Sequence, residues 1–140
     1  MSASKILIPV DGSSHSLRAT HYGVKIAKCM GSDILLIHCH KAFPVTLGEP
    51  YLQKMITKRQ ENSNHLLQAY RDLLKAEGIT FEDRIFEGSP GSVICNVAKI
   101  EECEMIIMGS RGHTDLKGLL LGSVAHRVLH AAPCPVTIVR

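Results

Sequence analysis

The sequence predicts an α/β fold, a doubly wound five-stranded parallel sheet with helices on both of its faces. Five short apolar runs recur along the 140 residues, and a longer segment with helical spacing lies between each run and the next. The run Asp33–His40 is apolar almost throughout, which is typical of a strand buried on both faces. Because strand–helix–strand connections are right-handed, this alternation predicts one sheet covered on both sides.

The bounds of the elements follow from apolar spacing and from residues that begin or end helices. The strands are predicted at Lys5–Val10, Asp33–His40, Ile79–Phe86, Glu104–Met108 and Val136–Val139. The helices are predicted at 14–30, 50–78, 90–101 and 123–131, and the polar stretch 58–64 is a candidate interruption of the second. Gly31 and Gly78 are expected helix ends. The first helix is expected to bury four side chains: Leu17, Val24, Ile26 and Ala27.

Composition indicates a soluble cytoplasmic protein of one domain, residues 1–140. The net charge of +3 is spread along the chain, aromatic residues make up 4%, and Trp is absent, which argues against nucleic-acid binding. The odd number of cysteines, five, without a C-x-x-C pair, predicts reduced thiols. An apolar segment of the roughly 18 residues that a membrane span needs is missing, and the N-terminal residues lack the features of a secretion signal.

Two loops of unusual composition follow predicted strands, at the edge where such sheets bind ligands. One is the acidic turn, residues 9–13, and the other is the glycine loop, residues 109–123, with four glycines. Glycine lets backbone N–H groups approach an anion closely, and the helix that begins at Ser123 adds unpaired donors and a favourable dipole. Three basic residues also lie in the glycine loop: Arg111, His113 and Lys117. Composition alone leaves a phosphate site and ordinary turns equally open, because neither the Walker spacing nor G-x-G-x-x-G is present.

The spacing of the glycines also resembles a known signature. The stretch Gly109-x2-Gly112-x9-Gly122-Ser123 matches the G-x2-G-x9-G-[ST] pattern of ATP-binding members of the universal stress protein family. Residues 5–13, 36–39 and 106–112 are similar to the first, second and fourth strands of that family. Residues 122–125 and 133–136 are similar to its closing helix and strand, so the resemblance covers the whole chain.

The resemblance implies a strand order of 3-2-1-4-5, as in the adenine nucleotide alpha hydrolase-like fold, with ATP lying across the carboxyl ends of strands one, two and four. It implies that Asp11 contacts the ribose or a hydrated metal, and that the backbones of Val10 and Cys39 frame the adenine. It implies that the phosphates are held by Gly109, Gly112, Gly122, Ser123 and the Val124 amide. Pro9, Met108 and Arg111 complete the candidate nucleotide site. Mg²⁺ is expected to bind through the phosphates. AMP or ADP could replace ATP, and Asp11 could instead be a simple helix N-cap.

Metal-binding and redox roles are weaker interpretations of other residues. His38 and His40 share one face of a strand, but the further ligands of a metal site are not visible at suitable spacing. His126 and His130 are expected at the surface of the last helix, near its C-terminus, where cations are favoured without a ligand role. Cys134 is expected to pack rather than react.

The two edge strands of the predicted sheet bear on assembly. Strand three carries three charges that discourage pairing at an edge, Glu82, Asp83 and Arg84, whereas strand five, Val136–Val139, is apolar. A two-fold homodimer through strand five is expected, as in family members.

The function favoured is a nucleotide-dependent regulatory protein in the stress response, acting on an unknown protein partner. A slow ATP hydrolase and a dimeric interaction module without nucleotide are the alternatives. The chain lacks the S-G-G-x-D-S and H-I-G-H signatures of nucleotide-cleaving enzymes, and only Asp11 and His113 could serve as a base beside the glycine loop. A phosphoacceptor receiver domain is disfavoured because its acidic pair and its closing Lys are missing. Residues 41–58 are expected to form a variable flank of the site.

Overall fold

Strands and helices alternate along the chain in the computed structural model, which describes residues 3–43, 48–112 and 121–140. The strands are β1 (Lys5–Pro9), β2 (Asp33–His40), β3 (Phe81–Glu87), β4 (Met105–Gly109) and β5 (Val136–Val139). The helices are α1 (Ser14–Met30), α2 (Tyr51–Ala76), α3 (Pro90–Ile100) and α4 (Ser123–Ala131). All strand pairs are parallel, and the order is β3-β2-β1-β4-β5. The predicted fold class and strand order are therefore confirmed.

The sheet separates two apolar layers because successive side chains of a strand point to opposite faces. In the central strand β1, Ile6 and Ile8 pack into the layer that includes residues of α1 and α2. Leu7, between them, packs into the layer that includes residues of α3 and α4. All three side chains are fully buried, as expected for a strand covered on both faces.

Helix α1 is capped at both ends, and its C-terminal end at Gly31 is confirmed. The Ser13 side chain accepts a hydrogen bond from the Ser16 N–H at 3.2 Å, and Gly31 ends the helix with φ of 67°. The buried stripe consists of small residues: Ser16, Ala19, Thr20, Gly23, Val24 and Ala27. The prediction that Leu17 is buried is wrong, since 39% of this residue is exposed. The predicted burial of Val24 and Ala27 is confirmed, and Ile26 is partly buried. Three of the six buried positions are Ser, Thr or Gly, which hydrophobic periodicity does not select.

The bounds of several other elements differ from prediction by one or two residues. Helix α2 differs from prediction in being continuous. The helix runs from Tyr51 to Ala76, and the polar stretch 58–64 does not interrupt it. That stretch lies on the solvent side except for Ser63, which is buried. Strand β3 begins at Phe81 rather than at Ile79, because the N–H of Ile79 donates to Leu74 O and closes the preceding helix.

The charges of edge strand β3 are paired with neighbouring side chains. Asp83 accepts from the Arg71 guanidinium at 2.6 Å, and Arg84 pairs with Glu101 and with Glu82. The opposite edge of the sheet is β5, whose four residues are half-buried. Within the described ranges, no helix is both long enough and apolar enough to cross a membrane.

Candidate functional site

A cavity of about 520 Å³ lies at the carboxyl ends of β1, β2 and β4. The strand order reverses here, since the chain moves outward through β2 and β3 and then returns to add β4 and β5 on the other side of β1. All eleven candidate residues of the sequence analysis line this cavity: Pro9, Val10, Asp11, Cys39, Met108, Gly109, Arg111, Gly112, Gly122, Ser123 and Val124. Residues far apart in the sequence thus meet around one space.

The acidic turn presents Asp11 to the cavity in a fixed loop. Asp11 Oδ1 accepts a hydrogen bond from the Ser13 N–H at 2.9 Å, and Gly12 adopts a φ of 83°, which favours glycine. Ser13, and not Asp11, is the N-cap of α1. The alternative role of Asp11 as a helix N-cap is therefore wrong.

The three signature glycines that the structure describes also have packing reasons to be glycine. A Cβ on Gly109 would lie 2.8 Å from His15 Cβ and 2.9 Å from the His15 carbonyl carbon. A Cβ on Gly112 would lie 2.6 Å from Asp11 Oδ2, and one on Gly122 would lie 3.3 Å from Arg111 Cα. The signature therefore brings the two loops against each other and against α1, in addition to any approach of a ligand.

The N-terminus of α4 opens on the cavity. Gly122 is its N-cap, with its N–H bonded to Ser110 O at 2.7 Å. The first bond within the helix joins the His126 N–H to Gly122 O, so the N–H groups of residues 123–125 have no acceptor within α4. Such groups, with the helix dipole, favour an anion. The predicted contributions of His113, Lys117 and Gly118 lie outside the described residues.

Val10 and Cys39 form an uncharged part of the wall where β1 and β2 end. Burial raises the pKa of the Cys39 thiol to about 11, so this side chain is neutral at physiological pH. The backbone of Val10 is engaged within the protein, because its N–H donates to Ile37 O and its carbonyl accepts from His38 Nδ1, each at 2.8 Å. Val10 can therefore frame a ligand by packing and through the second lone pair of its carbonyl, and its N–H is unavailable.

Five cavity residues were missed in the sequence analysis: Ser16, His40, Gly88, Pro90 and Ala125. A sixth, Lys41, begins the flank that was predicted at residues 41–58. His40 and Lys41 end β2 or follow it, and Gly88 follows β3, with its N–H bonded to His40 O at 2.9 Å. The rule that ligands bind beyond the carboxyl ends of strands, applied to every strand, would have found these three. The position of Ser16 one turn into α1 carries no such signal.

The described residues do not support the metal-binding interpretation of the histidines or a redox role for Cys134. The described part of the chain holds no group of three or more His, Cys, Asp or Glu residues that could bind a metal ion. His126 and His130 are exposed, as predicted, with ring centroids 4.6 Å apart. All five cysteines are free, and Cys134 packs against the apolar layer of α3 and α4. Burial raises the pKa of Cys134, which is the behaviour of a packing thiol.

Comparison with curated proteins identifies relatives that match nearly the whole chain. A universal stress protein of Thermus aquaticus is 32% identical over 136 residues, which is 96% of this chain and 97% of that protein. The universal stress protein MJ0531 of Methanocaldococcus jannaschii is 33% identical over 138 residues, 97% of this chain and 81% of its own.

Solved structures share the fold. Hypothetical protein MJ0577 is similar with a TM-score of 0.87 and 28% identity, over 99% of this chain and 96% of its own. A universal stress protein in complex with cAMP has a TM-score of 0.75 and 24% identity, over 100% and 98% of the two chains. A universal stress protein from Archaeoglobus fulgidus in complex with dAMP also has a TM-score of 0.75, with 20% identity over the full length of both.

The family model points to the same group of proteins. The model of the universal stress protein family matches residues 3–140, which include both the acidic turn and the glycine loop. The chain therefore belongs to the universal stress protein family.

Proposed function

We propose that this chain binds an adenine nucleotide, ATP in the first instance, in the cavity at the carboxyl ends of β1, β2 and β4. The observation that carries the proposal is the convergence of all eleven candidate residues on this one space of about 520 Å³. That volume lies within the range of small-molecule sites, and the walls combine apolar surface with a few polar groups.

The two ends of the cavity differ in the way that a nucleotide requires. The phosphates belong beside α4, where the N–H groups of residues 123–125 and the Arg111 side chain favour negative charge. The base belongs between Val10 and Cys39, whose side chains are buried or half-buried and uncharged. The same direction follows from the family signature, which places phosphates on Gly122 and Ser123.

Mg²⁺ fits this arrangement as a companion of the phosphates. Asp11 is the sole carboxylate among the described residues that line the cavity. One carboxylate is too few for a protein cage, but it suits an ion that keeps several waters and binds mainly through substrate phosphates. Asp11 would contact that hydrated ion or the ribose.

Relatives with bound ligands support an adenine nucleotide rather than another anion. Two proteins of the same fold are described in complex with cAMP and with dAMP. Both ligands share the adenine and a phosphate with ATP, and they differ in what lies beyond. AMP and ADP are therefore the competing ligands within this proposal.

We further propose that the chain is a regulatory homodimer of the cytoplasm and not an enzyme. Strand β5 ends the sheet with half-buried apolar residues, and pairing with its copy would satisfy the free edge. Five free cysteines fit a reducing compartment. Asp11 is the one acid or base that we assign to the phosphate end within the described residues, so hydrolysis of bound ATP is expected to be slow.

The test is a calorimetric titration of Mg-ATP into protein freed of nucleotide. In the variant Ser123→Asp a negative charge stands at the first residue of α4, where it suits the helix dipole but repels a phosphate. We expect the wild type to bind and the variant to bind at least about ten-fold more weakly, since removing charge-assisted contacts costs about 1.5–3 kcal/mol. Gln60→Glu, an equal charge change on an exposed position of α2 outside the cavity, is the control. Wild-type protein that takes up neither ATP, ADP nor AMP would refute the proposal.

A further inference from the structure

Tyr70 is a buried polar residue that does not line the candidate nucleotide site. It lies in the second half of α2, is 3% exposed, and packs into the apolar layer with Val10 and Leu67. Its ring would fill the same space without a hydroxyl. The hydroxyl group therefore calls for a separate explanation.

That hydroxyl makes two hydrogen bonds, one to the acidic turn that carries Asp11 and one to the first turn of α1. The Gly12 N–H donates to Tyr70 Oη at 3.1 Å, and the phenol lies 2.6 Å from Ser16 Oγ. Because Ser16 Oγ–H donates to Ser13 O at 3.1 Å, the phenol is the donor in its bond to Ser16. Burial raises the pKa of Tyr70, so the phenol keeps its proton at neutral pH.

The network continues from the phenol to the carboxylate of Asp11. Ser16 Oγ also lies 3.4 Å from the Asp11 N–H, and Ser13 offers its own N–H to Asp11 Oδ1 at 2.9 Å. Tyr70 thus joins α2 to hydrogen bonds that link Asp11, Gly12, Ser13 and Ser16. Gly12, the residue bonded to the phenol, is also the one with φ of 83° in this turn.

We propose that Tyr70 is a positioning residue of the nucleotide site, which holds the acidic turn through Gly12 and Ser16 so that Asp11 faces the bound nucleotide. This inference rests on the proposed function. It makes α2 part of the site although α2 itself does not line the cavity. The packed position of α2 and occupancy by nucleotide are then coupled, because each favours the same arrangement of the turn.

The first experiment measures the affinity for Mg-ATP of the wild type, Tyr70→Phe and Tyr22→Phe. The phenylalanine keeps the ring of Tyr70 and removes only the two hydrogen bonds. We expect Tyr70→Phe to weaken binding about three- to ten-fold, the range that corresponds to losing one ordered neutral hydrogen bond. Tyr22, 41% exposed on α1, is the matched control and should keep the wild-type affinity.

The second experiment repeats the comparison in an Asp11→Asn background. If the phenol acts by positioning the carboxylate, Tyr70→Phe changes the affinity of Asp11→Asn by less than about two-fold, because coupled groups are not additive. A purely structural effect would instead lower the affinity by the same factor in both backgrounds and would overturn the proposal. Ser16→Ala, which removes the acceptor of the phenol's proton, should weaken binding over the same three- to ten-fold range. Because Ser16 also lines the cavity, this variant is compared in the Asp11→Asn background too, where a change of less than about two-fold supports positioning of the carboxylate and an equal loss contradicts it. It carries the test should Tyr70→Phe fail to fold.

The outcomes separate this inference from the proposed function. If wild-type protein does not bind any adenine nucleotide, both the proposed function and the positioning role of Tyr70 are refuted. Wild-type protein that binds Mg-ATP, with Tyr70→Phe binding equally well, overturns the positioning role and leaves the nucleotide site intact.

Discussion

The substitution Gly109→Ala tests whether the first glycine of the signature is required by packing. Gly109 ends β4 beside the first turn of α1, and an added Cβ would lie 2.8 Å from His15 Cβ. It would also lie 2.9 Å and 3.0 Å from the carbonyl carbon and oxygen of His15. Two of these three atoms belong to the helix backbone, so no rotation of a side chain relieves the contacts.

The expected cost is that of overpacking against a fixed wall. Inserting a methylene group into a well-packed region costs about 1–3 kcal/mol, and the contact with backbone places this site in the upper half of the range. We therefore expect Gly109→Ala to lower the free energy of unfolding by about 2–3 kcal/mol. The melting temperature should fall by several degrees, since each kcal/mol corresponds to about 2–4 °C in a domain somewhat larger than this one.

Urea unfolding followed by circular dichroism measures this change in nucleotide-free protein. Gly48→Ala is the control, because an added Cβ there meets no atom of the described residues within 4 Å, and its free energy of unfolding should stay within about 0.5 kcal/mol of wild type. A free energy of unfolding for Gly109→Ala equal to that of wild type would contradict the packing interpretation. If that variant also lost nucleotide binding, the bound ligand and not the packing would require glycine at this position.

Three further predictions concern single side chains. Tyr70→Phe should lower the free energy of unfolding by about 1–2 kcal/mol in urea titrations, because a backbone N–H of the acidic turn loses its acceptor. Cys39 should react with iodoacetamide at pH 8 far more slowly than the exposed Cys29. With a pKa of about 11, roughly one Cys39 thiol in a thousand is ionised at that pH. Mass spectrometry of the modified peptides measures both rates. The hydrogen bond from the Arg84 guanidinium lowers the pKa of Glu101 in the folded protein. The ionised carboxylate therefore stabilises the fold at pH values above its unfolded pKa of about 4.3. This stabilisation is lost as the pH falls through the lower pKa of the folded protein. Glu101→Gln should therefore flatten the loss of stability below pH 4.5, and an unchanged slope in urea titrations across that range would contradict this.

The fold could be predicted because the inner strands of its sheet are nearly continuous apolar runs. Ile34–Ile37 and Ile6–Ile8 are buried on both faces, so no alternation is needed to recognise them. Helix α1 was harder, since its buried face contains Ser16, Thr20 and Gly23, small residues that let the helix lie close to the sheet. Hydrophobic periodicity weights Leu17 above all of these and so assigns one exposed residue to the buried face.

The long helix α2 shows a different limit. Its stretch 58–64 is polar on nearly every side, and local propensity gives little reason for the helix to continue. It continues because contacts beyond the stretch anchor it. Leu67 and Leu74 are buried, and Arg71 pairs with Asp83 of β3. Such tertiary contacts are absent from any local pattern.

The candidate site was predictable to the extent that spacing encodes it. The signature locates Gly109, Gly112 and Gly122, and the end of β1 locates Asp11, so two distant loops could be assigned to one cavity. The link from Tyr70 to Gly12 spans 58 residues and depends on how α2 packs on the sheet. No residue type or interval in the sequence indicates it.

The location of the bound phosphates is tested most directly by the amide resonances at the start of α4. Mg-ATP would be titrated into uniformly ¹⁵N-labelled, nucleotide-free protein while the N–H signals of residues 123–125 and of Gly112 are followed by NMR. We predict large, saturable shifts of these signals, all fitting one dissociation constant that agrees with calorimetry, and little change for the exposed residues of α2. Saturating Mg-ATP that leaves the amides of Ser123 and Val124 unshifted would contradict the placement of the phosphates at this helix N-terminus.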